Sequence, residues 1–412
     1  MKISPITIIG AGPGGCTVAL ALSNFGIPCT LVDQSVFPRD KICGDALSGK
    51  VVHSLKKLNV ELPSELGKLS TSLPSHGVSF YAPNGRALKV PFQKETDTEK
   101  PPGYLSKRMD FDNWIFQKAE ASESVEVITG VRLEKFEREN NGWLLSDKSG
   151  QNQIHTSLVI AADGAQSRFA KDVGGIRMED EHYCAGLRAY YKNISGLDPQ
   201  GFIELHFVKE FLPGYFWIFP LPNGDANVGV GMRSDIARKR KINLKEEMLK
   251  LIHSHPVFKE RFRDATLDGS ISGYGLPLGS KKRAISGEGF MLIGDAASLI
   301  DPFTGEGIGN AMISGLKAAD CILAQWESRD FSAAALKKYD DDIYQRLWPE
   351  LKLSKKMQEL MKYPWLFNLI ANRASKSKTL QETISCMFED LDLRERLKDP
   401  FFYLKVLFES KG

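Results

Sequence analysis

The sequence predicts an α/β protein in which a Rossmann-like dinucleotide-binding domain carries an inserted antiparallel-sheet domain and is followed by a helical C-terminal region. Three features predict it. A glycine-rich bend at residues 10–15 joins a β-branched strand to a helix; strand-to-glycine bends recur near residues 163 and 294; and the stretch between those two reads as alternating strands with an Asn-Gly turn. The expected division gives residues 1–70, 104–180 and 265–330 to the dinucleotide domain, 71–103 and 181–264 to the inserted sheet on the substrate side, and 331–412 to the helical region.

Residues 5–9 are apolar and β-branched, a short buried strand, and residues 16–25 read as the helix beyond the bend. Gly10 permits the tight turn, Gly12 lets backbone approach a pyrophosphate, and Gly15 lets helix and strand pack closely, with Gly14 between them. The helix start then offers N–H groups and a positive dipole end to that pyrophosphate. A second apolar strand, 29–32, ends in Asp33, where a carboxylate accepts hydrogen bonds from a ribose hydroxyl. An acid at that point fits NAD or FAD and does not choose between them.

The far end of the chain chooses. Residues 290–293 form another buried strand, followed by Gly294-Asp295-Ala296-Ala297 and by the glycine cluster Thr304-Gly305-Glu306-Gly307-Ile308-Gly309. A simple NAD dehydrogenase has no use for this second cluster, whereas a carboxylate at a strand end suits a ribityl hydroxyl, and glycines opening a helix over 307–326 suit a flavin pyrophosphate or ring carbonyl. Between the two lies a third apolar strand, 158–162, ending in Asp163-Gly164. FAD is therefore the expected cofactor. No second complete G-x-G-x-x-G offers a nicotinamide domain, so NAD(P)H is expected as a transient reductant.

Hairpins are expected across Asn84-Gly85, with a type I′ turn, across Asn141-Gly142 and across Asn223-Gly224. Residues 93–103 read as a polar loop, and residues 235–262 as helices with a solvated face. The strand at 213–220 directs Tyr215, Trp217 and Phe219 to one face and Phe216 and Ile218 to the other. By itself that pattern describes either a doubly covered core strand or an aromatic pocket wall. The tail beyond residue 331 is helical by pattern and rich in Trp348, Met357, Trp365, Phe401 and Phe402, which either pack on the cofactor domain or meet a membrane surface.

Composition limits the partners. With 42% hydrophobic and 25% charged residues the chain can bury a core, and a formal charge of +3 gives no bulk attraction for nucleic acid. Cys16, Cys29, Cys43, Cys184, Cys321 and Cys386 are scattered with no metal-ligand spacing, so no metal site is indicated and a reducing cytoplasmic setting fits, peripheral to the inner membrane at most. No stretch reaches the ~20 apolar residues of a spanning helix. A monomer or weak oligomer is expected.

Taken together, the bends at Gly10–Gly15, Asp163-Gly164 and Gly294-Asp295 resemble the three fingerprints of the flavoprotein group that includes para-hydroxybenzoate hydroxylase. The resemblance implies that Gly10, Gly12, Gly14, Gly15 and Asp33 hold the ADP part of FAD, that Asp163 and Gly164 stand near both FAD and NAD(P)H, and that Gly294, Asp295, Gly307 and Ile308 meet the ribityl chain and ring. Arg108 matches an arginine near the flavin, and Val131 a backbone contact to adenine. Lys41-Ile42-Cys43-Gly44 and Pro213-Gly214-Tyr215-Phe216-Trp217-Ile218-Phe219-Pro220 are similar to segments of the geranylgeranyl reductase family, the second with one residue rather than two between Pro213 and Tyr215. Aromatic hydroxylases usually carry His and Asn where this chain has Ser298 and Ile308. The resemblance implies Cys43, Tyr215 and Trp217 as catalytic residues, Gly44 and Asp45 at the flavin, and a hydrophobic or lipid substrate whose carbon–carbon double bonds are reduced. The chief rival is a flavin monooxygenase or halogenase, although Tyr215-Phe216-Trp217-Ile218-Phe219-Pro220 is not the W-x-W-x-I-P of halogenases.

Overall fold

A computed structural model describes residues 1–92, 101–139 and 142–374. Its first sheet is built on five parallel strands in the order Phe290–Leu292, Gln153–Ala161, Lys2–Ile9, Cys29–Asp33, Val125–Thr129. The inner faces of these strands are almost wholly apolar, as parallel strands covered on both faces require. The hairpin Leu133–Glu139 and Gly142–Asp147 extends this sheet through Gln153–Ala161, and the turn at residues 140–141 lies outside the described residues. Helices Pro13–Ser23, Ile308–Gln325 and Arg108–Glu120 pack beside it. Gly14 and Gly315 allow the first two helices to touch: a Cβ on Gly315 would stand 2.8 Å from the Gly14 carbonyl oxygen.

The second sheet has seven strands, in the order Thr266–Pro277, Tyr183–Lys192, Ala226–Arg233, Gly214–Pro220, Ile203–His206, Gly77–Tyr81, Ala87–Pro91. All neighbours are antiparallel except Ile203–His206 with Gly77–Tyr81. Two features differ from expectation. Thr266–Pro277, assigned from sequence to the cofactor domain, pairs along its length with Tyr183–Lys192 in this sheet. Ser72–Ser75, assigned to the inserted sheet, instead joins Ala46–Leu47 and Gly103–Ser106 in a separate three-stranded sheet. Neither strand shows a glycine-free apolar run, which is why sequence periodicity misplaced them.

The turns split by conformation. At Asn223-Gly224 both residues have positive φ, 65° and 77°, as a type I′ turn requires. At Asn84-Gly85 only Gly85 does, so the connection from Ala82 to Arg86 is not the expected type I′ turn. The Asn84 N–H instead donates to Asn368 of the C-terminal helix Pro364–Ala374.

Phe216, Ile218, Val228, Val230 and Met232 point away from the first sheet and are covered by Met248, Leu251, Ile252 and Phe258 of helices Leu244–Ser254 and Pro256–Arg261. The long helix Ala333–Leu360 buries Leu336, Tyr339, Ile343, Leu347 and Leu351 against the cofactor domain, and the Tyr339 hydroxyl donates to the Leu292 carbonyl at 2.7 Å. Ordinary packing therefore accounts for most of this helix. Trp365 is 68% exposed, and Phe401, Phe402 and Cys386 lie outside the described residues. Among the described residues no helix is long and apolar enough to cross a membrane.

Candidate active site

Parallel strands leave a crevice at their carboxyl ends, deepest where the chain order reverses. Here Lys2–Ile9 is that strand, with Cys29–Asp33 on one side and Gln153–Ala161 on the other. All five carboxyl ends open on one cavity of about 500 Å³: Gly10, Asp33, Val131, Asp163 and Gly294 all line it. Its other wall is the second sheet, through Arg188, Tyr215, Trp217, Phe219 and Tyr274. Every cofactor-site residue expected from sequence lines this cavity except Gly15, which packs behind the bend.

The bend has the form a dinucleotide needs. Gly10 has φ +101°, and a Cβ there would meet the Ala162 carbonyl oxygen at 2.5 Å. A Cβ on Gly15 would overlap the Gly10 carbonyl oxygen at 1.9 Å, so helix and strand can touch only at glycine. Gly12 is different: its open side meets nothing nearer than the Arg39 guanidinium at 3.5 Å, leaving room in front of the helix N-terminus. The spare charge there is positive, since Arg39 and Arg108 share one carboxylate, Asp112. Burial opposes the charge on Asp112, but the Arg108 guanidinium more than offsets it and holds the carboxyl below its ordinary range. An anionic pyrophosphate fits this end.

Asp33 is more occupied than the sequence suggests. Its carboxylate accepts from the Ala11 and Ser35 N–H groups, both at 2.8 Å, and so fixes the bend as well as facing the cavity. Val131 gives its N–H to the Asp33 carbonyl at 3.1 Å, which restricts the expected backbone contact to its carbonyl. Asp163 suits a cofactor that brings a donor: its Oδ1 is buried without a hydrogen-bond partner among the described residues. Burial pushes this carboxyl from 3.8 to about 6, with a Ser167 hydrogen bond opposing. Asp295 accepts from the Lys41 ammonium at 3.1 Å. Asp301 holds the following glycine loop by accepting from Phe303 and Thr304 N–H groups at 2.9 and 2.8 Å, which carries Gly307 and Ile308 to the cavity. An orphaned acceptor, a vacant approach at Gly12 and a surplus guanidinium fit FAD.

Cys43, Gly44 and Asp45 cross between the two sheets. Asp45 is 0% exposed with φ +67°, so it is not a solvated turn carboxylate. Its Oδ1 accepts from the Arg108 N–H at 3.2 Å; its Oδ2 accepts from the Tyr190 hydroxyl and the Asn227 amide, each at 2.7 Å. The same Asn227 amide donates to the Cys43 carbonyl at 2.6 Å, and its oxygen accepts from the Trp217 indole at 2.9 Å. Asn227 thus ties the Cys43 loop to the aromatic strand. The Cys43 thiol lies close enough to the Arg108 guanidinium for the two to interact electrostatically.

Burial pushes the Asp45 carboxyl from 3.8 to about 6, against its Asn227 and Tyr190 donors. The folded protein therefore binds this proton more tightly than the unfolded chain. Its contribution to stability is complete below 3.8 and is lost as pH rises through 6. Asp45→Asn is expected to flatten that part of the profile without removing the similar contribution of Asp163. Denaturant unfolding across this range checks it, and parallel profiles for variant and wild type would rule it out.

The aromatic strand is packed on both faces, and the face carrying Tyr215, Trp217 and Phe219 is also a wall of the cavity. Tyr215, Trp217 and Phe219 face the cavity beside Leu205, Ile203 and Phe92, and the Tyr215 hydroxyl donates to the Thr304 carbonyl at 2.7 Å. Gly44 must lack a side chain because a Cβ would meet the Phe219 ring at 2.8 Å; Gly229 likewise lies under the Trp217 ring. Sequence reasoning missed Arg39, Lys41, Arg188, Tyr190 and Asn227. Lys41 opens the Lys41-Ile42-Cys43-Gly44 segment and Arg39 precedes it by two residues, but their partners Asp295 and Asp112 are 254 and 73 residues away. Nothing local marks Asn227.

The FAD binding domain family model matches residues 4–349. The chain is 27% identical over 401 residues to digeranylgeranylglycerophospholipid reductase 2 of Methanopyrus kandleri, covering 95% of this chain and 91% of that protein. It is 28% identical over 355 residues to menaquinone reductase of Mycobacterium tuberculosis, covering 84% and 79%. Its fold is similar to that of a geranylgeranyl bacteriochlorophyll reductase-like protein from Thermoplasma acidophilum, with TM-score 0.79 and 23% identity over 97% of this chain and 99% of that one. With the cavity built at five strand ends and the match running through all three glycine bends, the chain belongs to the FAD binding domain family and is an FAD-dependent oxidoreductase.

Proposed function

We propose that the protein reduces carbon–carbon double bonds of an isoprenoid lipid with electrons derived from NAD(P)H. One observation carries this reading: the aromatic wall Tyr215, Trp217 and Phe219 lies in the same cavity as the glycine bends and Cys43. Bound FAD supplies a hydride equivalent. The chain's own residues supply placement, dryness and a proton.

Trp217, Phe219, Leu205, Ile203 and Phe92 give an apolar surface on which a prenyl chain excludes water. Asn227 fixes the Trp217 ring and the Cys43 carbonyl in one geometry, so the double bond is held beside the Cys43 thiol. As one alkene carbon takes hydride, the Cys43 Sγ–H bond breaks and its proton forms a C–H bond at the other carbon. The sulfur keeps the electron pair beside the Arg108 guanidinium and regains a proton from water. The relatives' names support the substrate class, since a digeranylgeranyl phospholipid and a menaquinone share an isoprenoid chain.

Trp217→Ala is expected to raise KM for an isoprenoid substrate about tenfold through lost apolar contact, while Cys43→Ala lowers kcat with little change in KM. Steady-state kinetics with product mass analysis checks both. A hydroxylated or halogenated product would replace the reductase reading with its rival.

A further inference from the structure

Arg188 is a buried cation that the proposed reduction leaves without a task. It lies on strand Tyr183–Lys192, on the face of the second sheet that also carries Trp217, and is 4% exposed in the cavity wall. Cross-strand pairing places it opposite Gly229, whose own partner on the other side is Trp217. Two neighbours hold the guanidinium: the Asp40 carboxylate takes its Nη2 at 2.6 Å, and the Tyr190 ring lies 4.2 Å beneath it. Its Nε–H is buried and has no hydrogen-bond partner among the described residues. A buried donor left unpaired is costly, so a ligand that brings an acceptor oxygen to it binds more tightly.

We propose that Arg188 Nε is the head-group anchor of the substrate, and that the group it takes is a neutral ring carbonyl, as in an isoprenoid quinone, not a phosphate. The inference rests on the isoprenoid reading above and selects the head group within it. Charge decides between the two chemistries. At this end of the cavity two cations, Arg188 and Lys41, face two carboxylates, Asp40 and Asp295, and Asp45 adds a buried acid. Lys107 lies over the Tyr190 ring, with Asp110 near it. Among these groups no positive charge is left over for a phosphate dianion. The unshared cation, where Arg39 and Arg108 bracket Asp112, faces Gly12 at the cofactor bend. One directed N–H in a charge-balanced wall matches a carbonyl oxygen. The ring that bears it lies beside Trp217 and Tyr215, with the prenyl chain continuing along the aromatic wall.

The test compares binding of a short-chain isoprenoid naphthoquinone and of a prenyl diphosphate of equal chain length to the FAD-loaded enzyme, read by perturbation of the flavin spectrum, in wild type, Arg188→Met and Arg188→Lys. Asp40 is 43% exposed at its side chain, so neither variant strands a buried carboxylate. The wild type is expected to bind the quinone at least about tenfold more tightly than the diphosphate, and Arg188→Met to weaken quinone binding about 10- to 100-fold, the loss of one charge-assisted hydrogen bond. FAD affinity and diphosphate binding should stay within about twofold. Preference for the diphosphate, unchanged quinone binding in Arg188→Met, or an equal loss of FAD affinity, which would give Nε to the cofactor, each overturns the proposal. If the quinone binds through Arg188 but its double bonds are never reduced, the head-group assignment stands and the reductase reading fails.

Discussion

Gly15→Ala is expected to yield a protein that folds but purifies without FAD. The added methyl would lie 1.9 Å from the Gly10 carbonyl oxygen, both atoms belonging to backbone that is packed on each side. Helix and bend must separate, at about 3 kcal/mol, which moves the Gly10–Gly12 cradle and corresponds to about a 100-fold loss of FAD affinity. Gly12→Ala distinguishes cradle from scaffold. Its methyl meets nothing nearer than Arg39 at 3.5 Å, so the apoprotein should melt like wild type while FAD binding falls. Flavin titration beside thermal denaturation reads both, and a Gly12→Ala protein with undiminished FAD affinity would show that no cofactor approaches that bend.

Lys50→Met is expected to cost about 3–5 kcal/mol of stability, the largest single loss in the cofactor domain. The Lys50 side chain is 2% exposed and donates to Glu350 at 2.6 Å and to Asn310 at 3.1 Å, linking three helices: Gly49–Leu58, Ile308–Gln325 and Ala333–Leu360. Burial opposes its charge, but Glu350 more than compensates, and the ammonium is held above its ordinary range. Removing it leaves the Glu350 carboxylate in the core with Arg346 alone. The double variant Lys50→Met/Glu350→Leu should recover much of the loss, because two apolar side chains need no partner. Chemical denaturation of the two single variants and the double decides it: strictly additive losses would mean that the two residues act separately. Since Asn310 and the glycine loop belong to the same contact set, the single variant should also release FAD more readily.

The parts of this molecule that repeat a local rule were legible in the amino-acid sequence. Strand, glycine bend and helix at residues 2–23 follow from β-branched residues, glycine and a helix pattern within one short window, and Asp33 follows from the length of the unit. Trp217 was legible as an alternating aromatic and ambiguous as to purpose, because alternation says which face and not what that face meets. The remainder depends on pairing across long separations. Arg188 reads as one basic residue in a strand, and only the fold shows Asp40 and Tyr190 filling its other faces and leaving Nε over. Asn227 reads as a polar residue after a turn until Asp45, 182 residues earlier, comes to its amide. The misplacement of Thr266–Pro277 has the same origin: its glycines and serines carry little period-two signal, and its place is fixed by ladder hydrogen bonds to Tyr183–Lys192.

In the proposed reaction one cavity brings a flavin and a prenyl chain together for hydrogenation. The direct measurement is anaerobic rapid mixing of photoreduced enzyme with an isoprenoid substrate, following flavin reoxidation and then the mass of the product. Reoxidation without oxygen, with a product heavier by two hydrogens for each flavin oxidised, is the predicted result. A flavin that stays reduced until oxygen is admitted, then yields a hydroxylated product, would contradict it.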